Sequence, residues 1–421
     1  MPYDGAVFVQ MRTRPPGAGP FAPMLTAAGW AEASERKWGA GWVLTGSGCL
    51  SPVEARRQAS RANDEGVLGR TRMLPQPLVT FTKDARAIAM GLVAARAGAR
   101  GPWDTARVPF VWQRHDAFQQ AGIEVADRLG CPLVMAVHAI HVDEAAAWGV
   151  RRPLWGRALR YFGELRLLAK ADLIACVSPQ VAEQVMRYLP GRAKDVVVIG
   201  SGIDQQHFRR DAARGQAVRS QLGIPQTSFV FGWHGSFRKF HGLDCLIQAF
   251  ADARARLPQS HLLLVGHGVH RARLMALAES LGVADFVICP GEIPYDDIPA
   301  YLSAMDAGAV LADPGDHFHY SPLKLLEYQA SGLPVIASAA GEMKSLKDGM
   351  DALVVAPGVT GELANALVRV ASSPGLRTTI AANGGELCRR HTWDSKLDEL
   401  MAELAGRDLL LSDFKRRGAR G

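Results

Sequence analysis

Short apolar runs separated by helix-length amphipathic segments set the pattern of this chain. In the first half they are AVFVQM (6–11), WVLTG (42–46), PLVTF (77–81), FVWQR (110–114), PLVMAVHA (132–139), DLIACVS (172–178) and DVVVIGSGID (195–204). In the second half they are SFVFGWHGS (228–236), HLLLVGHG (261–268), DFVICPG (285–291), AGAVLAD (307–313), PVIASAA (334–340) and DALVVAPG (351–358). Runs that are apolar throughout, rather than alternating, are the signature of strands covered on both faces. Helices between them predict parallel, doubly wound sheets. The second half carries the cleaner pattern; between 1 and 105 it is looser and rich in Gly, Arg and Pro. The polar stretch QQHFRRDAARGQ (205–216) marks the boundary, giving a first domain over 1–204 and a second over 205–391. The segment from 392 to 411 predicts a helix that crosses back to complete the first domain.

Composition adds limits. The chain has 421 residues, 48% hydrophobic and 21% charged, which suits two ordinary domains, each with a core. A net charge of +7 favours an anionic small molecule or a membrane surface and is too small to argue for nucleic acid. The six cysteines are scattered without a C-x-x-C pair and read as core residues in a reducing compartment. No signal peptide is expected at the N-terminus, and no apolar run reaches the roughly 18 residues a bilayer requires. These features predict a cytoplasmic protein.

The chemistry concentrates in the second half. In SPLKLLEYQASGLPVIAS (321–338), Ser321 suits an N-cap and Pro322 a first helical residue. The unpaired N–H groups of that first turn make an anion site. Leu323 opens the turn and Lys324 stands within it, where a cation is disfavoured unless an anion lies in front of it. Glu327, one turn deeper, offers a carboxylate suited to a ribose diol, although a plain surface ion pair with Lys324 has the same spacing. The turn GSFRKFHG (235–242) places Gly235, Ser236, Arg238 and Lys239 at another strand end, cations suited to a diphosphate. Gly266 leaves room for a close ligand, and Gly291 and Ile293 put backbone groups near a base edge. Asp296 and Asp297 precede a helix and read as capping groups rather than metal ligands.

Taken in order, GSFRKFHGLDCLIQAF, LLLVGHG, CPGEIPYDDIPAYLSAMDAGAVL and SPLKLLEYQASGLPVIAS resemble the donor half of the retaining glycosyltransferases of family four. The resemblance is detailed over 170–400 and holds only in outline before that. It implies the GT-B architecture: two Rossmann-like doubly wound α/β domains facing each other across a cleft. It also implies transfer of a hexose-type sugar from a UDP- or GDP-sugar, with no protein nucleophile, metal or other cofactor. By resemblance, Glu327 is the second glutamate of the family's E-x7-E element, and His319 stands where the first would be, with Asp313 or Asp316 as substitutes. Ser236 and His241 stand where the family carries arginine and lysine, which makes Arg238 and Lys239 the replacements.

In the first half, His138 after PLVMAV matches the family's histidine near the catalytic centre. Arg114, His115 and His141 are acceptor-side candidates, and the His138–His141 spacing lacks a third metal ligand. Ser201 replaces the asparagine of the family's hinge element, while Gly17 and Gly19 match its glycine loop loosely. The basic, aromatic segment 151–170 fits a solvated helix face or a weak contact with an anionic membrane. A phosphorylase or epimerase on the same scaffold, or a non-catalytic nucleotide-sugar-binding subunit, remains a rival, and the acceptor is not specified.

Overall fold

The computed structural model describes residues 6–9, 22–38, 40–45, 48–55, 77–78, 80–85, 88–89, 108–147, 150–314 and 323–410. The chain forms two compact units, one of Met1–Gly202 with Trp393–Gly421 and the other of Ile203–Thr392. The division falls two residues from the boundary read at 204/205.

The first unit holds a sheet of β1 (Ala6–Val9), β2 (Gly41–Thr45), β3 (Gly48–Leu50), β4 (Val111–Arg114), β5 (Leu133–Val137), β6 (Leu173–Cys176) and β7 (Val196–Val198), in the order β3-β2-β1-β4-β5-β6-β7. All neighbours are parallel except β3, which pairs antiparallel with β2 at the edge. One face packs Phe8, Trp30, Phe110 and Trp112 into an aromatic core, with ring centroids about 6 Å apart. The C-terminal helix Trp393–Ala405 closes this face: the Trp393 and Trp30 rings lie 5.7 Å apart, and Asp394 and Asp398 pair with Arg36 and Lys37. A Cβ on Gly202 would come within 2.7 Å of the Trp393 ring, so only glycine permits the approach. One expectation is overturned: PLVTF, read as a strand, is helical at residues 77–78 and 80–85. Its apolar side chains follow Leu78, Phe81, Ala85 and Ile88, a helical spacing that a five-residue window is too short to reveal.

The second unit is an all-parallel sheet of β8 (Phe229–His234), β9 (Ser260–Val265), β10 (Val287–Gly291), β11 (Ala307–Val310), β12 (Val335–Ser338) and β13 (Leu353–Val355), ordered β10-β9-β8-β11-β12-β13. Helices bury an apolar cluster on each face, which explains why the strands lack alternation. Strand order reverses between β8 and β11. Ligands of doubly wound sheets bind beyond the carboxyl ends of the strands at that switch point. The six cysteines are free. No described helix is long and apolar enough to cross a membrane.

Candidate active site

At the switch point of the second unit, β8 runs into Gly235, and the helix Leu323–Ala330 follows β11. Gly235 adopts φ +133°, and a Cβ there would lie 2.6 Å from Lys324 Cε, so the missing side chain makes space for the lysine. Gly266, at φ +136°, likewise abuts the Gly235 carbonyl, and its N–H donates to the Gly291 carbonyl at 2.8 Å. The ends of β8, β9 and β10 are thereby tied together at one edge. Lys324 Nζ lies 3.3 Å from His241 Nε2 and 4.9 Å from the centroid of Trp233, a cation–π geometry. Burial pulls the Lys324 pKa down to about 8 against the opposing pull of Glu327. His241 is held well below its ordinary value by burial, by Lys324 and by Arg238, so its imidazole is neutral. A half-buried ammonium beside a neutral ring and a helix N-terminus is a site prepared for an anion.

Glu327 has its own support. Its Oε2 lies 2.7 Å from His234 Nε2, and His234 Nδ1 lies 3.0 Å from the Tyr328 hydroxyl. That hydroxyl also accepts the backbone N–H of His234 at 3.1 Å. Tyr328 is fully buried, so its one proton must find an acceptor, and His234 Nδ1 is placed to take it. The Nε2–H then donates to Glu327, which fixes the carboxylate and leaves Oε1 for another partner.

In the first unit, Arg114 ends β4, and His138 follows β5, where it lines a cavity with Trp30, Trp112, Ser201 and Leu400. Burial, Arg114 and His141 keep the His138 imidazole neutral, well below its ordinary pKa. His115 stacks on His141 with centroids 5.6 Å apart, and its Nε2 meets the fully buried Glu164 at 3.2 Å. Glu164 sits in a π-helical turn, Tyr161–Leu165, and its two oxygens accept the N–H groups of His141 and Val142 at 2.7 and 3.1 Å. It thus caps the helix His141–Ala147 from a distance in sequence. Burial opposes the His141 charge, but Asp116, Glu144, Glu164 and the His115 carbonyl outweigh it and raise the pKa to about 9.

Because this folded value lies above the unfolded 6.5, the stabilisation is fully present below 6.5 and is lost as pH rises through about 9. A His141→Gln variant is therefore expected to melt lower than the parent at pH 6, with the gap closing toward pH 10; thermal melts across that range test it. A gap that stays constant with pH would remove the charge from the explanation.

The family match follows from the sequence comparisons. Residues 228–373 match the model for "Glycosyl transferases group 1", and residues 79–207 match that for "Glycosyltransferase Family 4". A D-inositol 3-phosphate glycosyltransferase of Actinosynnema mirum is 31% identical over 67% of this chain and 69% of its own length. The chain belongs to glycosyltransferase family four. Its Salinispora arenicola counterpart is also 31% identical, over 67% of this chain and 65% of its own length. Among solved structures, Anabaena HepE in complex with UDP-glucose superimposes with a TM-score of 0.65 at 19% identity, covering 95% of this chain and 99% of that one. A Rickettsia africae glycosyltransferase gives 0.67 at 14% identity, covering 98% and 100%. These likenesses establish the GT-B fold: two parallel-sheet α/β domains.

For a family-four enzyme, the placement of the expected residues is informative. Gly235, Arg238, Lys324, Glu327 and Gly266 gather at the switch point, and His241 joins them. Lys239 is exposed, and it acts on Asp313, which stands just beyond β11 with its N–H on the Phe240 carbonyl at 3.1 Å. Ser236 is half-buried, and its carbonyl accepts the Arg238 N–H at 2.8 Å. Leu323 begins the helix, Gly291 holds the sheet edge, and Ile293 packs into the core. Asp297 stands at the N-cap of the helix Ile298–Ser303 but caps nothing with its side chain; it pairs with Arg214 instead, because its backbone is already helical. Arg114, His115, His138 and His141 cluster at the ends of β4 and β5. Gly17, Gly19, Asp316, His319, Ser321 and Pro322 lie outside the described residues. His234, Tyr328 and Glu164 were missed. A histidine ending an otherwise apolar strand, FVFGWH, and an acid inside the apolar YFGEL were the available signals.

Proposed function

We propose that this family-four glycosyltransferase moves a hexose-type sugar from a UDP-sugar to a hydroxyl acceptor, retaining the anomeric configuration and needing no bound metal. The observation that carries the reading is the half-buried Lys324, packed under Gly235 and beside the neutral His241 at the switch point of the second sheet. As the sugar leaves, negative charge builds on the diphosphate. Lys324, Arg238 and the helix N-terminus are fixed donors for that charge, the role a metal ion fills elsewhere. Glu327, steadied by His234, receives the ribose hydroxyls. Around His138, a neutral imidazole faces a cavity and offers the acceptor a hydrogen-bonding partner without adding positive charge. Uridine is favoured by HepE, whose structure holds UDP-glucose, and GDP-sugars are the comparison. The relatives named for D-inositol 3-phosphate make an inositol phosphate the first acceptor to try. The reaction would be cytoplasmic.

Incubation with UDP-glucose or UDP-N-acetylglucosamine, with and without inositol phosphate, is expected to release UDP in an acceptor-dependent way, and GDP-mannose is expected to release no GDP. The anomeric coupling of the product reports retention. Conversion of the donor without acceptor would favour the epimerase rival. The rate is expected to be unchanged in excess EDTA. An activity that disappears in EDTA and returns only with a divalent ion would remove the metal-free clause.

A further inference from the structure

The first unit carries a surface that the transfer reaction does not use. The turn leading into the helical segment 156–168 is joined to the helical residues 80–85: the Phe81 and Trp155 rings lie 5.6 Å apart, and Asp84 pairs with Arg152 and accepts the Trp155 indole N–H at 2.9 Å. From this joined face large apolar side chains project into solvent. Leu154 is 103% exposed, Tyr161 57%, Phe162 53% and Phe81 51%. Leu154 is held at φ +73°, a conformation that disfavours a branched side chain, so the chain presents a leucine at a turn where glycine would fit more easily. Tyr161 and Phe162 meet edge to face at 4.9 Å, forming one aromatic knob.

The exposed charges of these two segments are basic, while Arg160 beside the knob is paired with the half-buried Asp143 of the adjoining helix His141–Ala147 at 2.7 Å. Arg151, Arg157 and Arg166 are exposed beside the knob, and Lys83 is exposed on the adjoining segment. The acids of 77–89 and 151–170 are only Asp84 and Glu164, and both are turned away: Asp84 into its ion pair with Arg152, Glu164 into the interior with no exposure. A solvated helix face normally interleaves acids with its bases. Protruding leucine and aromatic side chains beside exposed arginines, with the nearby acids Asp84, Asp143 and Glu164 engaged in ion pairs or buried, match the boundary of a lipid headgroup layer. A protein partner would call for mixed charge or a concave seat.

We propose that this face docks the enzyme on an anionic phospholipid bilayer, with Leu154, Tyr161 and Phe162 entering the acyl boundary and the arginines meeting lipid phosphates. The surface belongs to the first unit and the donor residues to the second, so its test stands independently of the assigned sugar chemistry. The full chain is mixed with phosphatidylcholine vesicles, with or without phosphatidylglycerol, and sedimented. Binding is expected only with phosphatidylglycerol and is expected to weaken as salt rises. Reversing Arg151, Arg157 and Arg166 to glutamate should lower the partition on the order of a hundredfold or more, since each basic side chain at such a surface contributes about fivefold. A Leu154→Ser, Tyr161→Ser, Phe162→Ser variant should lose most binding while its UDP affinity, read by calorimetry, and its circular dichroism stay unchanged. Parent protein that ignores phosphatidylglycerol vesicles overturns the proposal, as does a serine variant that binds them normally. A concentration-dependent dimer in analytical ultracentrifugation that the serine variant dissolves would assign the face to a second copy instead.

Discussion

Lys324→Met is expected to raise the melting temperature of the second unit while cutting transfer by about 10²–10³-fold. Both effects have one cause. The ammonium is half-buried above Trp233 and against Gly235, and that desolvation lowers its pKa from 10.5 to about 8, with Glu327 pulling the other way. Between those values the unfolded chain holds a proton that the folded chain has lost, so stability rises with pH there and the full penalty is present below 8. The fall from 10.5 to about 8 corresponds to about 3 kcal/mol at neutral pH. Methionine keeps the length of the stem and removes the charge. It also forfeits the cation–π contact, about 0.5–1 kcal/mol, which leaves a net gain of about 2 kcal/mol. For a domain of this size each kcal/mol is worth about 2–4 °C.

The function lost is the other side of the same burial. A desolvated cation is expensive until a diphosphate arrives, and the charge that grows on that diphosphate in the transition state is what it stabilises best. Donor affinity of the parent should fall as pH rises through about 8, where the free protein's lysine gives up its proton, and the variant should show no such step. Scanning calorimetry, steady-state rates and a pH series of UDP binding test all three. A variant that turns over within a fewfold of the parent would remove Lys324 from the site.

The second sheet was readable because its strands are apolar on both faces and alternate with helices, the repetition of a parallel sheet covered by helices. The donor loop and Lys324 were legible for a related reason, since Gly235 and a cation at a helix start both contradict local preference and so point to a ligand. The helical residues of PLVTF were not legible, because a five-residue window fits a strand or a helix and the helical spacing shows only when it is extended to Ala85 and Ile88. Arg238 and Lys239 read alike in sequence, since adjacency does not show that the first is half-buried and the second exposed. His234 escaped because its importance lies in a partner 93 positions away. Glu164, likewise, caps a helix that begins 23 positions earlier. Long-range polar pairs leave no periodicity.

Glu327→Ala is expected to raise the KM for the donor by about two orders of magnitude and to leave kcat within a fewfold. The ribose lies outside the bonds that change, so a carboxylate holding its diol binds ground state and transition state alike. Hydrogen bonds to a charged acceptor contribute about 1.5–3 kcal/mol each, and losing a pair gives the stated rise. The effect should pass through His234. Its Nε2–H holds Oε2 of Glu327 at 2.7 Å, and the Tyr328 hydroxyl keeps the proton on that nitrogen. His234→Phe keeps a planar ring and frees the carboxylate to turn, so a KM about tenfold higher with unchanged kcat is expected, about 1.4 kcal/mol of lost positioning. Tyr328→Phe acts differently. It removes the acceptor of the His234 backbone N–H at 3.1 Å, a buried group, and should lower stability by about 1–3 kcal/mol as well as loosening the tautomer. A collapse of kcat in Glu327→Ala at unchanged KM would move the carboxylate from the ribose to the reacting bond, because only a group that senses the developing charge changes the rate without changing the affinity.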